Sequence, residues 1–369
     1  MGCNMTYKKG LACIFILVLL GGCVSALAGA HGWTDTVVAG AGEDTGGIAI
    51  DTSSIKSLLS SVYAVSDETS KKLSGRIGAL NEAVNQHFYK QKTYENLYGP
   101  FAFAFSGQFS DERIIRGKDD WLFYNPPPSD GDTVADYQGT NLLNDTELTN
   151  LAQNVTRQYD ALRARGIRLV VMVVPNKHTV YERYMPGGYG PPAEMTRADQ
   201  IVTYLKDQAG IPVVYPKEDL KGPRDTYQLY SKYGTHWNNL GAFVGEQCFL
   251  GELGLPQSSL DQYTVYYDGT VSTDSIADWG GMDGYYQDDL LAKIEYQGLY
   301  EDMNVLFVGD SFRTAIIPYI ESDFAQAAII HRFDYDTSYI TQDEPDVVVL
   351  QAAERYVTSL GTFSFDLGE

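Results

Sequence analysis

The chain has 369 residues, 44% of them apolar and 20% charged, with a formal net charge of −21 at pH 7 and an isoelectric point near 4.5. That length gives room for about two domains, or one large α/β domain with appendages. The charge excludes nucleic acid as a tight partner, and a strongly anionic glycan would need local basic patches. Tyrosine is abundant, at 27 residues; amphipathic rings suit sugars, but core and rim packing accounts for most of them.

Cys3, Cys13 and Cys23 fall in the first 23 residues and leave Cys248 alone downstream, so no disulfide can form within the body of the chain. Lys8 and Lys9 followed by the apolar run Leu11 to Leu20 read as an export signal. Leu20-Gly21-Gly22-Cys23 resembles a lipobox, in which Cys23 would be acylated as the mature terminus. Two alternatives stay open. One is cleavage after Ala28 or Ala30; the other is an uncleaved anchor, since the apolar stretch is about 18 residues, near the short limit for a span. Each alternative expects the working domain on the extracellular side of the cell membrane. Residues 1–30 are therefore expected to be the export or anchoring segment, and 31–50, rich in Gly, Ala, Asp and Thr, a flexible tether. In 51–105, the spacing of Ile55, Leu58, Leu59, Val62, Leu73, Ile77, Leu80 and Val84 predicts one or two amphipathic helices. The main domain is expected over 106–369.

Ile114 to Tyr124 reads as a β-hairpin turning at Gly117-Lys-Asp-Asp120, and Pro126-Pro-Pro128-Ser-Asp-Gly as a loop. Asn144 with Glu147 signals a helix start, with one apolar face through Leu148, Leu151, Val155, Tyr159 and Leu162, ending at Gly166. Strands are predicted at Leu169–Val174, Val213–Tyr215, Val305–Val308, Ala327–Ile330 and Val347–Leu350. Helices are predicted at Met195–Gln208, Asn239–Leu250 and Arg313–Ile320, with an irregular tyrosine-rich stretch over 255–300. Strands separated by helical crossovers imply a parallel sheet covered on both faces.

Ligands gather at the carboxyl ends of such strands. Here those ends deliver Asn176-Lys177-His178, Asp310-Ser311, and Gln351 with Glu354-Arg355. Gly309-Asp-Ser-Phe312 is a strand-to-helix turn that would lift the Ser311 hydroxyl and aim backbone N–H groups at what it attacks. Asp310 is expected to shape that turn. A serine needs a base, and His236, in Thr235-His-Trp-Asn238, is the leading candidate, with His178 and His331 behind it. Acyl transfer also calls for donors to the oxyanion, and the Ser311 N–H, Asn176 and Arg313 are candidates. Trp237 could stack on a sugar, and Lys177 and Arg355 could bind substrate oxygens, although core packing and solvated charge are the plainer readings. No metal-ligand cluster and no phosphate loop is evident. Asn144-Asp-Thr and Asn154-Val-Thr match glycosylation sequons, but both suit a capped helix better.

Four ordered segments resemble SGNH-type polysaccharide O-acetyltransferases of the alginate O-acetyltransferase and DHHW-like group. They are Gly117-Lys-Asp-Asp-Trp-Leu-Phe-Tyr124; Val174-Pro-Asn-Lys177 with Tyr181 and Pro186; Tyr230-Ser-Lys-Tyr-Gly-Thr-His-Trp-Asn238 with Gly241-Ala242; and Val308-Gly-Asp-Ser-Phe312. Asp136-Tyr-Gln-Gly139 and Asp346 to Arg355 fit more weakly. The resemblance covers about residues 110–357. It implies an SGNH-hydrolase-like α/β fold behind the helical N-terminal segment, Ser311 as nucleophile and His236 as base, and no cofactor. It further implies a cell-surface or secreted polysaccharide as acceptor, and a membrane-bound O-acyltransferase partner supplying acetyl groups. A carbohydrate acetylesterase, or a catalytically weakened glycan-binding scaffold, would look the same. The family's segment reads Asp-x-His-Trp, whereas this chain has Gly234 in the aspartate's place. A Ser–His dyad, a replacement acid (Asp225, Asp278, Asp283 or Asp334) and a weakened enzyme therefore stay open.

Overall fold

The computed structural model describes residues 109, 111–282, 286 and 288–367. The export segment with Cys23, the tether and the N-terminal helices expected above lie outside the described residues, as does Asp283.

The hairpin forms as read: β1 (Ile114–Arg116) pairs antiparallel with β2 (Leu122–Tyr124). Trp121 seats it, stacked against Tyr181 and Tyr184 with ring centroids 4.3 and 4.8 Å away. After α1 (Thr133–Gln138) comes α2 (Asp145–Arg163). Its start is fixed by a reciprocal capping box, with the Glu147 N–H donating to Asn144 and the Asn144 N–H to Glu147. Then follow β3 (Arg168–Val174), the single turn α3 (Lys177–Val180), α4 (Arg197–Asp207), β4 (Val213–Val214), α5 (Lys217–Lys221) and α6 (Asn239–Leu253). The helix predicted from Met195 begins two residues later because Thr196 is its N-cap, accepting from the Asp199 N–H.

The stretch expected to be irregular contains a second antiparallel pair, β5 (Tyr266–Val271) with β6 (Leu290–Lys293). The tyrosines and glycines of that stretch hide the alternation that marks a strand, and β5 is largely exposed, so it carries no apolar face to read. The chain closes with β7 (Glu301–Gly309), α7 (Arg313–Asp323), β8 (Phe324–His331), α8 (Ser338–Thr341) and β9 (Val347–Ala353).

The main sheet is parallel throughout, in the order β4-β3-β9-β7-β8. Alternate strand residues serve opposite faces. Val170, Met172, Val305, Phe307, Val347 and Val349 pack with α6 and α7. Val171, Val173, Leu306, Val308, Val348 and Leu350 pack with α2 and α4. Burial on both sides explains why these strands read as unbroken apolar runs. The order sets the carboxyl ends of β3, β9 and β7 side by side, so the residues that follow them share one rim.

Both sequon asparagines are engaged in the fold. Asn144 caps α2, and the Asn154 amide donates to the Leu360 and Phe363 carbonyls at 3.0 and 2.9 Å.

Between α6 and α7 lies a buried acid pair. Glu246 and Asp323 are fully buried; the Gln247 amide donates to Glu246, and the Tyr296 hydroxyl and Leu299 N–H donate to Asp323. Burial, then the Asp323 carboxylate beside it, pushes the Glu246 carboxyl far above its ordinary range. The folded chain thus keeps a proton that an unfolded glutamate releases above about pH 4.3, and stability falls as pH rises past that point. Glu246→Gln should relieve this cost. Its melting temperature, relative to the parent chain, is expected to climb steadily from pH 5 to pH 8, at a free-energy slope of up to about 1.4 kcal/mol per pH unit. A difference constant across that range would contradict the assignment.

Candidate active site

Ser311 sits where β7 turns into α7, and it is exposed. The turn beneath it is latched to β9 by Asp310, which is 3% exposed. One Asp310 oxygen accepts from the Phe312 N–H and the Gln351 amide, both at 3.0 Å. The other accepts from the Ala353 N–H at 2.6 Å, and the Asp310 N–H donates to Gln351 Oε1. Gly309 permits this approach, because a Cβ there would lie 2.2 Å from that Gln351 oxygen. Asp310 therefore shapes the turn, and its carboxylate is occupied in doing so.

The imidazole arrives from a tight loop ahead of α6. His236 Nε2 lies 2.8 Å from Ser311 Oγ. The two rings next to this contact meet as well, His236 and Phe312 having centroids 4.8 Å apart. Trp237 ties the loop to the Ser311 turn, its indole N–H donating to the Phe312 carbonyl at 2.8 Å. At 2% exposure the indole is a packed strut with no face for a sugar, which corrects the stacking role considered from sequence.

The acid partner of His236 comes from an unforeseen place. Asp274 Oδ2 lies 3.2 Å from His236 Nδ1 and accepts the backbone N–H groups of Thr235 and His236 at 2.9 Å each. The Thr235 hydroxyl is also near Nδ1, at 3.0 Å. Burial alone would raise the Asp274 carboxyl, but His236 and the Lys177 ammonium outweigh it and hold the group below its usual value. Gly234 is what admits Asp274: a Cβ at 234 would stand 2.1 Å from its carboxyl carbon. Of the acids nominated from sequence, Asp283 lies outside the described residues, and Asp225, Asp278 and Asp334 form no ion pair with the ring. Asp225 is exposed and pairs with Arg183, and Asp278 and Asp334 are exposed. Asp274 lies 38 residues after His236 in the irregular stretch, with no local signal except the empty space that a glycine leaves.

Lys177 is not available to substrate either. It is 2% exposed, and its ammonium donates to the carbonyls of Ser231 and Lys232 at 2.9 and 3.1 Å and to that of Gly234. Trp121 and Phe123 of the hairpin line it, with centroids 5.8 and 5.5 Å away. Burial draws its pKa down to about 7, against the opposing pull of Asp274 and Asp289. Asp289 clamps the same loop, accepting from the Ser231 hydroxyl and the Lys232 N–H at 2.7 and 2.8 Å. Lys177 thus braces the loop that carries His236. Lys177→Met strands three carbonyls, so a stability loss of about 3 kcal/mol is expected from chemical denaturation. A loss in kcat of ~10²-fold should accompany it as His236 shifts from Ser311; an unchanged kcat would show that the loop keeps its shape without the brace.

Asn176 follows β3. Its N–H donates to Glu354 Oε2 at 2.7 Å, and its side-chain amide is buried without a hydrogen-bond partner among the described residues. Arg313 donates to the Asp310 carbonyl at 3.1 Å, with its Nε unpartnered. Arg355 is 6% exposed, its guanidinium over the rings of Phe312, Tyr356 and Tyr124 at 5.1, 5.0 and 5.7 Å. The other histidines are placed elsewhere. His178 is buried against Phe123, and burial lowers its pKa to about 3; His331 ends β8. Among the described residues no cluster of metal-ligating side chains occurs.

Residues 114–249, from β1 into α6, match the family of SGNH hydrolase-like domains described as acetyltransferase AlgX. Over that segment the chain is similar to this acetyltransferase family. The AlgX-type match takes in His236, Lys177 and Asn176 and ends before Ser311. Similar solved structures include the O-acetyltransferase domain of Pseudomonas putida AlgJ, at 18% identity and a TM-score of 0.45, covering 66% of this chain and 92% of that one. Bacillus cereus PatB1 matches at 17% identity and 0.47, covering 68% and 99%. A DHHW family protein from Eubacterium siraeum matches at 14% and 0.48, covering 68% and 97%. No curated protein matches significantly in sequence.

Proposed function

We propose that the chain is an exported serine-dependent O-acetyltransferase that acetylates hydroxyls of a cell-surface or secreted polysaccharide. The observation that carries this reading is the 2.8 Å contact between His236 Nε2 and Ser311 Oγ, with Asp274 behind the imidazole. In the first half-reaction Ser311 Oγ bonds to the acetyl carbonyl carbon while its proton passes to His236 Nε2. Collapse of the adduct breaks the bond to the donor's leaving atom, which takes that proton. The sugar hydroxyl then attacks the acetyl-serine, gives its proton to His236, and returns Ser311 to its starting state. Asp274 holds the ring in the tautomer with Nδ1–H and balances the imidazolium. The Ser311 N–H and the free amide of Asn176 are the proposed oxyanion donors, each contributing roughly 3 kcal/mol, with Arg313 as the alternative second donor.

Lys8, Lys9 and the Leu11–Leu20 run support export, and Cys23 is the proposed lipid anchor. Acetyl-coenzyme A is cytoplasmic, so a membrane-bound O-acyltransferase is the proposed source of acetyl groups. An aryl acetate offered with and without oligosaccharide acceptors tests the reading. A phenol burst followed by acetylated sugar is expected; steady acetate release without sugar ester would make the chain an esterase, with water in the acceptor's place. No acylation at all, with sugar binding retained, would leave a binding protein.

A further inference from the structure

Asn176 stands at the N-cap of α3, where an asparagine side chain ordinarily accepts a backbone N–H from the first turn. Here it makes no such bond. Its oxygen and its nitrogen are both buried and without a partner among the described residues, although folding normally satisfies such groups. The capping is done instead by Glu354, which follows β9 and stands 178 residues further along the chain. Glu354 Oε2 accepts the Asn176 N–H at 2.7 Å and the Thr179 hydroxyl at 2.6 Å. In a capping box the carboxylate that reaches back to the N-cap N–H comes from the third residue of the same helix. Thr179 holds that place in α3, so the carboxylate is supplied from another strand.

The residue before Glu354 performs the matching task for the serine. The Ala353 N–H donates to Asp310 Oδ2 at 2.6 Å. Consecutive residues at the end of β9 therefore latch the turn that carries Ser311 and the turn that carries Asn176, which fixes the spacing between them. On the other side of Asn176, the Pro175 carbonyl accepts the Tyr230 hydroxyl at 2.5 Å.

A carboxylate is a costly cap in this place. Glu354 is fully buried, and its Oε1 has no hydrogen-bond partner among the described residues. Burial, and then the Asp136 carboxylate of α1, push its pKa up to about 7, with a smaller push from Asp199 of α4. Asp136 is held by the Asn141 amide and the Arg197 guanidinium at 2.8 and 2.9 Å, and Asp199 by the Lys217 ammonium at 2.8 Å. The phenols of Tyr215 and Tyr230 also face Glu354, and burial keeps both neutral. Lys177, His178 and Arg355 are engaged elsewhere, with the loop carbonyls, Phe123 and Phe312.

We infer that Glu354 is the positioning residue of the oxyanion site. By capping α3 in place of the Asn176 side chain, it leaves the Asn176 amide free to donate to the carbonyl oxygen as Ser311 attacks. That role rests on the acyl-transfer reading above; the capping itself does not.

Two measurements on the full chain test the inference. Pro175-Asn176 is the only Pro-Asn step in the sequence, so carbonyl-labelled proline with nitrogen-labelled asparagine gives one amide resonance. That proton is expected to lie downfield and to shift in a step between pH 5 and pH 8, as the Glu354 carboxylate forms. In Glu354→Gln it should lie upfield, with the step gone. The second measurement is a double-mutant cycle on acylation by an aryl acetate. Asn176→Ala, which keeps the backbone N–H, should lower kcat ~10²-fold. Glu354→Gln should lower kcat ~10-fold with KM within about twofold of the parent, and should cost almost nothing more in the Asn176→Ala background. Thr179→Val, which leaves the carboxyl in place and removes one of its two donors, should lose ~3-fold and show the same coupling, and it carries the cycle if Glu354→Gln does not fold. Losses that multiply across the cycle, or an Asn176 resonance indifferent to pH and to Glu354→Gln, would overturn the inference. A resonance that follows Glu354 in a chain that never acylates Ser311 would overturn only the acyl-transfer reading and leave the capping in place.

Discussion

Ser311→Ala is expected to abolish the phenol burst from an aryl acetate and to lower acetyl transfer by about 10⁶-fold. The argument is local. The hydroxyl is exposed at the strand-to-helix turn and meets the imidazole of His236 at 2.8 Å. The turn is held by Asp310 and the Phe312 carbonyl, neither of which involves the serine side chain. Removing one exposed oxygen should therefore change stability by no more than about 0.5 kcal/mol. Loss of activity at constant melting temperature is a chemical effect. His236→Ala should cost nearly as much, and the double variant little more, because the two groups act as a unit. Mass spectrometry of the parent chain after a brief exposure to donor should place the acetyl group on Ser311. An adduct on another residue, or transfer persisting above a tenth in Ser311→Ala, would end this account.

Asp274→Asn should reduce kcat by about 10⁴-fold. Oδ2 of Asp274 takes three N–H groups, from Thr235, His236 and the His236 ring. A neutral amide oxygen accepts these donors more weakly than a carboxylate, so it holds the ring less firmly in the Nδ1–H tautomer. Loss of the negative charge also removes what favours the imidazolium. Gly234→Ala approaches the same defect from the other side, since its Cβ would stand 2.1 Å from the Asp274 carboxyl carbon and must displace it. That variant should lose ~10²-fold or more in kcat. If Asp274→Asn retained full activity, Thr235 and the loop carbonyls would be holding the ring without a carboxylate.

How much of this was legible in the sequence depended on how local the cause was. The five strands of the sheet were readable because burial on both faces leaves unbroken runs such as Leu169–Val174 and Val305–Val308. The capped start of α2 was readable because Asn144 and Glu147 stand three residues apart. The meeting of His236 with Ser311 was readable from their neighbours, and parallel topology alone put the ends of three strands on one rim. What failed depended on distance in sequence. Asp274 reaches His236 through a stretch whose tyrosines and glycines carry no period. Lys177 looked like a surface cation, and only the loop carbonyls of 231, 232 and 234 reveal it as a brace. Packing was the plainer reading of Trp237, but its bond to the Phe312 carbonyl, 75 residues away, left no local signal.

The capping and docking duties of Asn144 and Asn154 bear on the choice of production host. A eukaryotic secretory pathway attaches oligosaccharides to Asn-x-Thr while the nascent chain is still unfolded. At Asn154 the graft would replace an amide hydrogen that the Leu360 and Phe363 carbonyls need, holding the C-terminal segment away from α2. Material from yeast or mammalian culture should therefore misassemble unless Thr156 is first changed, whereas bacterial expression leaves both asparagines free for their structural partners.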